Sequence, residues 1–193
     1  MNAPPIGVVL AGGKSSRMGH DKALCKIDGV RLVDCVITRL RPQVSRLLIS
    51  GSDDYGTGYE TVTDSVTGLH GPCAGVFSLS RRLAGETTGF LTAPVDAPYL
   101  PEDLAARLVG QTSAVAVCRG ALQPTFAWWM ISEIEQAARE LEGEQDISLK
   151  RLAKAVSARS VSWCDPSAFY NVNTAADLEA ARECPRIASG KHE

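Results

Sequence analysis

Three apolar residues, Val8, Val9 and Leu10, stop abruptly at a glycine pair, Gly12-Gly13. The run is short, rich in β-branched residues and apolar on both alternating faces. That pattern suits a central strand of a parallel sheet, buried from both sides. Its carboxyl end runs into a loop holding Gly12, Gly13 and Gly19 together with Lys14, Arg17 and Lys22. Glycines let the backbone approach a ligand and aim successive N–H groups at it, and three cations neutralise what lies there. The ligand this loop suits is a polyphosphate.

Counting eliminates two common phosphate loops. Walker A places four residues between its first glycine and Gly-Lys-Ser. Gly7 and Gly13 are separated by five, most of them in the predicted strand. The dinucleotide fingerprint Gly-x-Gly-x-x-Gly is not met by Gly12, Gly13 and Gly19.

The loop instead resembles the nucleotidyltransferase signature, Leu-Ala-Gly-Gly followed by a small residue pair, Arg-Met-Gly and a lysine. Arg17-Met18-Gly19-x-Asp21-Lys22-Ala23-Leu24 is most similar to the molybdenum cofactor guanylyltransferase family. Sugar-phosphate and methylerythritol-phosphate enzymes usually carry other residues between Gly19 and the lysine. A plain glycine turn with solvated basic residues is the competing reading, but seven signature positions match in order.

The chain has 193 residues, enough for one good core and short for two domains. A net charge of −2 gives no overall attraction to nucleic acid or to an anionic membrane. Any polyanion must therefore bind locally, and Lys14, Arg17, Lys22, Lys26 and Arg31 offset only Asp21 and Asp28 over residues 14–31. The six cysteines are scattered without a Cys-x-x-Cys pair, which argues against a metal knuckle or a disulfide framework. The N-terminus lacks the charged and apolar regions of a signal peptide, and no apolar run nears membrane-spanning length, so the cytoplasm is expected.

Strands are predicted at 46–50, 59–63, 89–95, 114–118, 125–129 and 160–164. Helices are predicted over 30–41, from the loop 68–75 to about Leu83, from Pro101, over 133–142 and 147–156, and from Ala175 to about Glu183. This alternation predicts a three-layer α/β/α, Rossmann-like fold with a mostly parallel central sheet, in one domain over 1–184 with a polar tail over 185–193. Ligands of such sheets lie outside the carboxyl ends of the strands, near a switch in strand order. Gly12, Ser50, Asp64 and Asp96 all follow or end predicted strands.

Asp96 is framed by Pro94, Pro98 and Pro101, which restrict the backbone around one carboxylate. A hard cation such as Mg²⁺ would accept that oxygen and complete its shell with water and phosphate. A simple turn aspartate fits the prolines equally well, but residues 94–101 resemble the family's Pro-x-Asp-x-Pro metal motif, which implies a Mg²⁺ ligand at Asp96. Asp64 corresponds by order to a family aspartate near the nucleotide; a surface or turn aspartate remains open. Gly71-Pro-Cys-Ala-Gly75 resembles the family's Gly-Pro-Leu-Ala-Gly at a helix entrance, with Cys73 as an apolar substitute for leucine. Ser50 stands where the family often has asparagine, which leaves base selection at that corner open. In Asn171-Val172-Asn173 an extended backbone sends both amides to one side, toward an acceptor or metal, on a late strand remote from the Gly12–Lys22 loop. The alternative is a helix cap at Asn173 or Thr174. Trp128 and Trp129 are expected to pack in the core.

The resemblance implies an enzyme that transfers GMP from GTP to molybdopterin or Mo-molybdopterin and releases pyrophosphate. It implies Arg17, Lys22 and Asp96 as catalytic residues, with Asp96 on the metal. It implies Leu10, Ala11, Gly12, Gly13, Lys22, Ser50, Asp64, Gly75 and Asp96 around the nucleotide, and Asn171 and Asn173 at the acceptor. Cofactor-insertion proteins or apo-molybdoenzymes are the implied protein partners, with no nucleic acid and no membrane. A CTP or sugar-phosphate enzyme and a non-catalytic nucleotide-binding protein are the alternatives.

Overall fold

The computed structural model describes residues 4–11, 21–65, 72–144 and 146–183. Within them the elements run β1 Ile6–Leu10, β2 Lys26–Ile27, β3 Val30–Arg31, α1 Leu32–Leu40, β4 Arg46–Ser50, β5 Glu60–Val62, α2 Pro72–Leu83 and β6 Gly89–Pro94. They continue with α3 Leu104–Leu108, β7 Ala114–Cys118, β8 Ala121–Met130, α4 Ile131–Glu140, α5 Leu149–Ala155, β9 Arg159–Trp163 and α6 Ala175–Arg182.

Seven strands form one sheet in the order β5-β4-β1-β6-β8-β7-β9. All run the same way except β8, which is antiparallel to β6 and β7. The mostly parallel α/β architecture is therefore as expected. From β1 the chain builds outward to β4 and β5, then returns to add β6 on the other side. That reversal creates the crevice in which doubly wound sheets bind ligands. Leu10 is level with Ser50 on one side and Pro94 on the other, so three strand ends share one rim.

Alternation along β1 sends Val9 to one face and Val8 and Leu10 to the other. Val9 packs with α1 residues Val33, Val36 and Leu40 and α3 residues Leu104 and Leu108. Val8 and Leu10 join α2, α4 and α5 through Val76, Leu79, Ile134 and Leu152. Trp129 is fully buried and Trp128 nearly so, each with its indole N–H satisfied, by Thr92 Oγ1 at 3.1 Å and by the Gly110 carbonyl at 3.0 Å. A third cluster, Ile27, Leu32, Tyr99, Val172 and Ala181, ties β2, α1, the loop after β6 and α6 together beside the rim.

Three features depart from the sequence expectations. The β2–β3 hairpin is new; Asp28 and Gly29 turn it with φ of 49° and 85°, the two left-handed residues of a tight hairpin turn. Strand β8 starts at Ala121 instead of Thr125, because Arg119 and Gly120 (φ 50° and 75°) fold β7 directly back on it. Helix α3 begins at Leu104, not Pro101. Asp103 gives no side-chain cap there; its Oδ1 accepts the Trp163 indole N–H at 2.9 Å instead.

At the opposite end of the strands, Arg46 and Arg82 each bridge both Glu60 and Glu86 in a closed ring of four half-exposed charges.

Candidate active site

The rim of the sheet gathers two clusters on either side of β1. The first centres on Lys22, which opens a 3-10 turn over Lys22–Leu24. Asp21 caps that turn, its Oδ1 accepting the Ala23 N–H at 3.0 Å. Lys22 Nζ stands 3.3 Å from Asp96 Oδ2 and donates to Asn173 Oδ1 at 2.6 Å. Both members of the ion pair are about one-fifth exposed, with side-chain accessibility of 21% each. They are screened enough that the contact orients more than it stabilises.

Asp96 is held from three directions by backbone. The Val95 N–H donates to the Leu10 carbonyl at 3.1 Å, Ala97 N–H to the Pro94 carbonyl at 3.4 Å, and Val172 N–H to the Asp96 carbonyl at 2.8 Å. The last bond brings the C-terminal segment into the site. Residues 171–173 lie in no strand, contrary to expectation. Val172 is fully buried, and Asn173 is exposed beside Lys22. Thr174, not Asn173, caps α6: its Oγ1 accepts the Asp177 N–H, and Asp177 accepts the Thr174 N–H in return. That reciprocal box leaves the Asn173 amide available to Lys22. Asn171 Oδ1 is buried and has no hydrogen-bond partner among the described residues.

The second cluster lies across β1. Ala11 N–H donates to the Ser50 carbonyl at 2.9 Å. Gly75 comes so close that a Cβ there would lie 2.8 Å from Ser50 Oγ and 3.4 Å from Asp64 Oδ1. Any side chain at this point of α2 would have to displace the Ser50 hydroxyl. Ser50 is buried. Asp64 is open to solvent on one side, yet burial of its carboxyl raises its pKa from the ordinary value. Cys73 is buried and its thiol is pushed up to about 12 by desolvation, an inert packing residue as expected.

The structure thus brings Leu10, Ala11, Ser50, Asp64 and Gly75 to one side and Lys22, Asp96 and Asn173 to the other. Gly12, Gly13 and Arg17 lie outside the described residues. No group of three or more His, Cys, Asp or Glu stands together to hold a metal among the described residues. The hard oxygen of Asp96 fits a divalent cation completed by phosphate and water. The Asn171 amide oxygen, next to the Val172 N–H that binds the Asp96 carbonyl, is a neutral oxygen donor without a partner among the described residues. Sequence reading missed Tyr55, whose hydroxyl meets the Ala11 carbonyl at 3.5 Å. Asp53, Asp54, Gly56 and Gly58 are turn-forming residue types, but nothing in the sequence points the Tyr55 ring at β1.

Residues 7–161 match the MobA-like NTP transferase domain. The chain belongs to this family. It is 37% identical to a molybdenum cofactor guanylyltransferase of Sinorhizobium fredii, covering 91% of this chain and 89% of that one. It is also 37% identical to a relative of the same name from Yersinia pseudotuberculosis, over 90% and 92% of the two chains. Among solved structures, molybdopterin-guanine dinucleotide biosynthesis protein A from Archaeoglobus fulgidus superposes with a TM-score of 0.72 at 18% identity, covering 95% and 98%. The 2-C-methyl-D-erythritol 4-phosphate cytidylyltransferase of Thermus thermophilus gives 0.67 at 17% identity, covering 96% and 100%. Those two likenesses show the nucleotidyltransferase fold shared beyond the family. The family member described here is accordingly a nucleotidyltransferase, a class that usually works with a divalent metal.

Proposed function

We propose that this nucleotidyltransferase is a molybdenum cofactor guanylyltransferase. It transfers GMP from GTP to the terminal phosphate of molybdopterin or Mo-molybdopterin, giving the guanine dinucleotide cofactor. A phosphate oxygen of the acceptor bonds to the α-phosphorus of GTP, the α–β phosphoanhydride bond breaks, and pyrophosphate leaves with that bond's electron pair. The acceptor is already an anionic nucleophile, so the protein's task is alignment and charge neutralisation.

The observation that carries the reading is Lys22 Nζ set between Asp96 and Asn173 at the end of β1. One ammonium there can meet the triphosphate, while Asn173 and Asn171 receive the acceptor. Leu10, Ala11, Gly12, Gly13, Ser50, Asp64 and Gly75 form the nucleotide side, and Arg17 adds a second cation. When bound on Asp96, Mg²⁺ supplies further neutralisation of phosphate charge. We place the enzyme in the cytoplasm; no helix of the described residues is long and apolar enough to cross a membrane.

Thermal unfolding with each nucleoside triphosphate and Mg²⁺ tests the assignment. GTP at 100 times its dissociation constant should add about 2.7 kcal/mol, and ATP, CTP and UTP measurably less. Equal shifts with all four would remove the guanine assignment. A larger shift with CTP would move the assignment to a cytidylyl-transferring enzyme.

A further inference from the structure

Strands β6 and β8 part before they reach the rim. They pair only from Gly89 with Met130 to Thr92 with Ala127, although β6 runs on to Pro94 and β8 begins back at Ala121. A shift of register diverts β8 at that point: Val115 of β7 is level with Ala127, and the next residue, Ala116, with Gln123. Pro124, Thr125 and Phe126, which lie between, bulge from the ladder. Bulges re-aim side chains and end pairing, and they collect beside active sites.

The hairpin beyond the bulge reaches the same rim as Asp96. Thr92, Ala127 and Val115 form one row, and Asp96 and Arg119 each follow four residues after it on strands that run the same way. At that row β6 and β7 are two strand spacings, about 10 Å, apart. The base of the hairpin is braced. Phe126 meets Phe169 edge to face at 4.9 Å, and Cys118 Sγ donates to the Asp165 carbonyl at 3.8 Å. From Phe169 the chain crosses to Asp96, whose carbonyl accepts the Val172 N–H. The tip is free: Arg119 is exposed and makes no hydrogen bond or ion pair with another described residue. Leu122 beside it is also exposed. Turn chemistry does not account for the arginine. With φ of 50° at Arg119 and 75° at Gly120, the first position is left-handed, where asparagine or aspartate is preferred.

We propose that the β7–β8 hairpin is the acceptor-selecting arm of the site, and that Arg119 is a specificity-determining residue which pairs with a negative charge on the acceptor remote from its phosphate. In molybdopterin that charge is the dithiolene. In-line transfer brings the acceptor to the α-phosphorus from the side opposite the departing pyrophosphate. Ser50, Asp64 and Gly75 lie across β1 from Asp96, whereas β8 and β7 lie on its other side. The acceptor phosphate then meets Asn173, and its far end meets the arm, where a guanidinium beside an apolar side chain suits an organic anion. For the identity of the acceptor the inference rests on the guanylyltransferase reading.

Arg119→Asn removes the cation and gives the turn a residue better suited to it. Tm should hold or rise, and GTP affinity, from calorimetric titration with Mg²⁺, should stay within about twofold. Acceptor KM for GMP transfer to molybdopterin should rise about tenfold, the effect of one lost charged contact. Arg119→Lys keeps the charge and should recover about half of that loss on a logarithmic scale. An unchanged acceptor KM in Arg119→Asn overturns the inference and leaves the guanylyltransferase reading standing. Equal losses for GTP and acceptor also overturn it, because they mark a general disturbance of the rim. If the unmodified protein transfers no GMP to molybdopterin, the guanylyltransferase reading falls and takes this inference with it.

Discussion

Asn173 shows how one side chain can be claimed by two roles and be given to one. An asparagine just before a helix is a natural cap. Here the Thr174 and Asp177 side chains close the cap, Asp177 also accepting the Asn173 backbone N–H, and the Asn173 Oδ1 accepts from Lys22 instead. Asn173→Ala should therefore change stability by less than about 0.5 kcal/mol while lowering transfer by about tenfold, read from urea melts and acceptor kinetics on one sample. Because the amide holds Lys22, GTP affinity should fall with it. The sequence places the two residues 151 positions apart and suggests independent nucleotide and acceptor sides; the 2.6 Å contact joins them. Motif residues such as Lys22 and Asp96 were legible because charge and proline framing mark them locally. Tyr55 was not, since a left-handed backbone and a ring buried against β1 are properties of packing, not of spacing.

Among the elements, β1, β4 and α1 could be read directly. Continuous apolar runs and a clear helical stripe ending at Pro42 left little choice. The hairpin of β2 and β3 has two residues per strand, too few for any periodicity to register. The direction of β8 was hidden for a different reason: an apolar strand looks the same in either orientation, and only the two-residue turn at Arg119-Gly120 fixes it. Helix α6 is the weakest in packing, with Ala181 as its one buried residue, so its start depends on the cap. Thr174→Ala should cost about 1 kcal/mol, seen as a lower urea midpoint. Asn173→Ala should not move that midpoint, so the pair separates cap from site.

For the molecule as a whole, charge is distributed by end. The rim that carries Lys22 faces away from the ring of Arg46, Glu60, Arg82 and Glu86 at the strand beginnings. Arg46 first and Arg82 next lower the Glu60 pKa, and the same two cations, Arg82 first, lower that of Glu86. A carboxylate depressed in the folded state adds stability above its unfolded pKa and loses it as pH falls through the folded value. Tm should thus drop on acidification from pH 6 toward 3, and less steeply in Arg46→Ala. The groups are exposed, so at neutral pH the variant should lose less than about 3 °C, and 1 M NaCl should reduce that difference.

The small cluster of Ile27, Leu32, Tyr99, Val172 and Ala181 gives the site a place in time as well as in space. During synthesis the sheet can be completed once Trp163 has been made, because β9 is its last strand. Lys22, made long before and able to meet Asp96, still lacks Asn173. Only when residues 164–173 follow can Val172 dock and bring Asn173 across. The nascent protein therefore passes through a stage at which its architecture is finished and its chemistry is not. A chain released at that stage would hold a folded sheet with a lysine facing an incomplete set of partners.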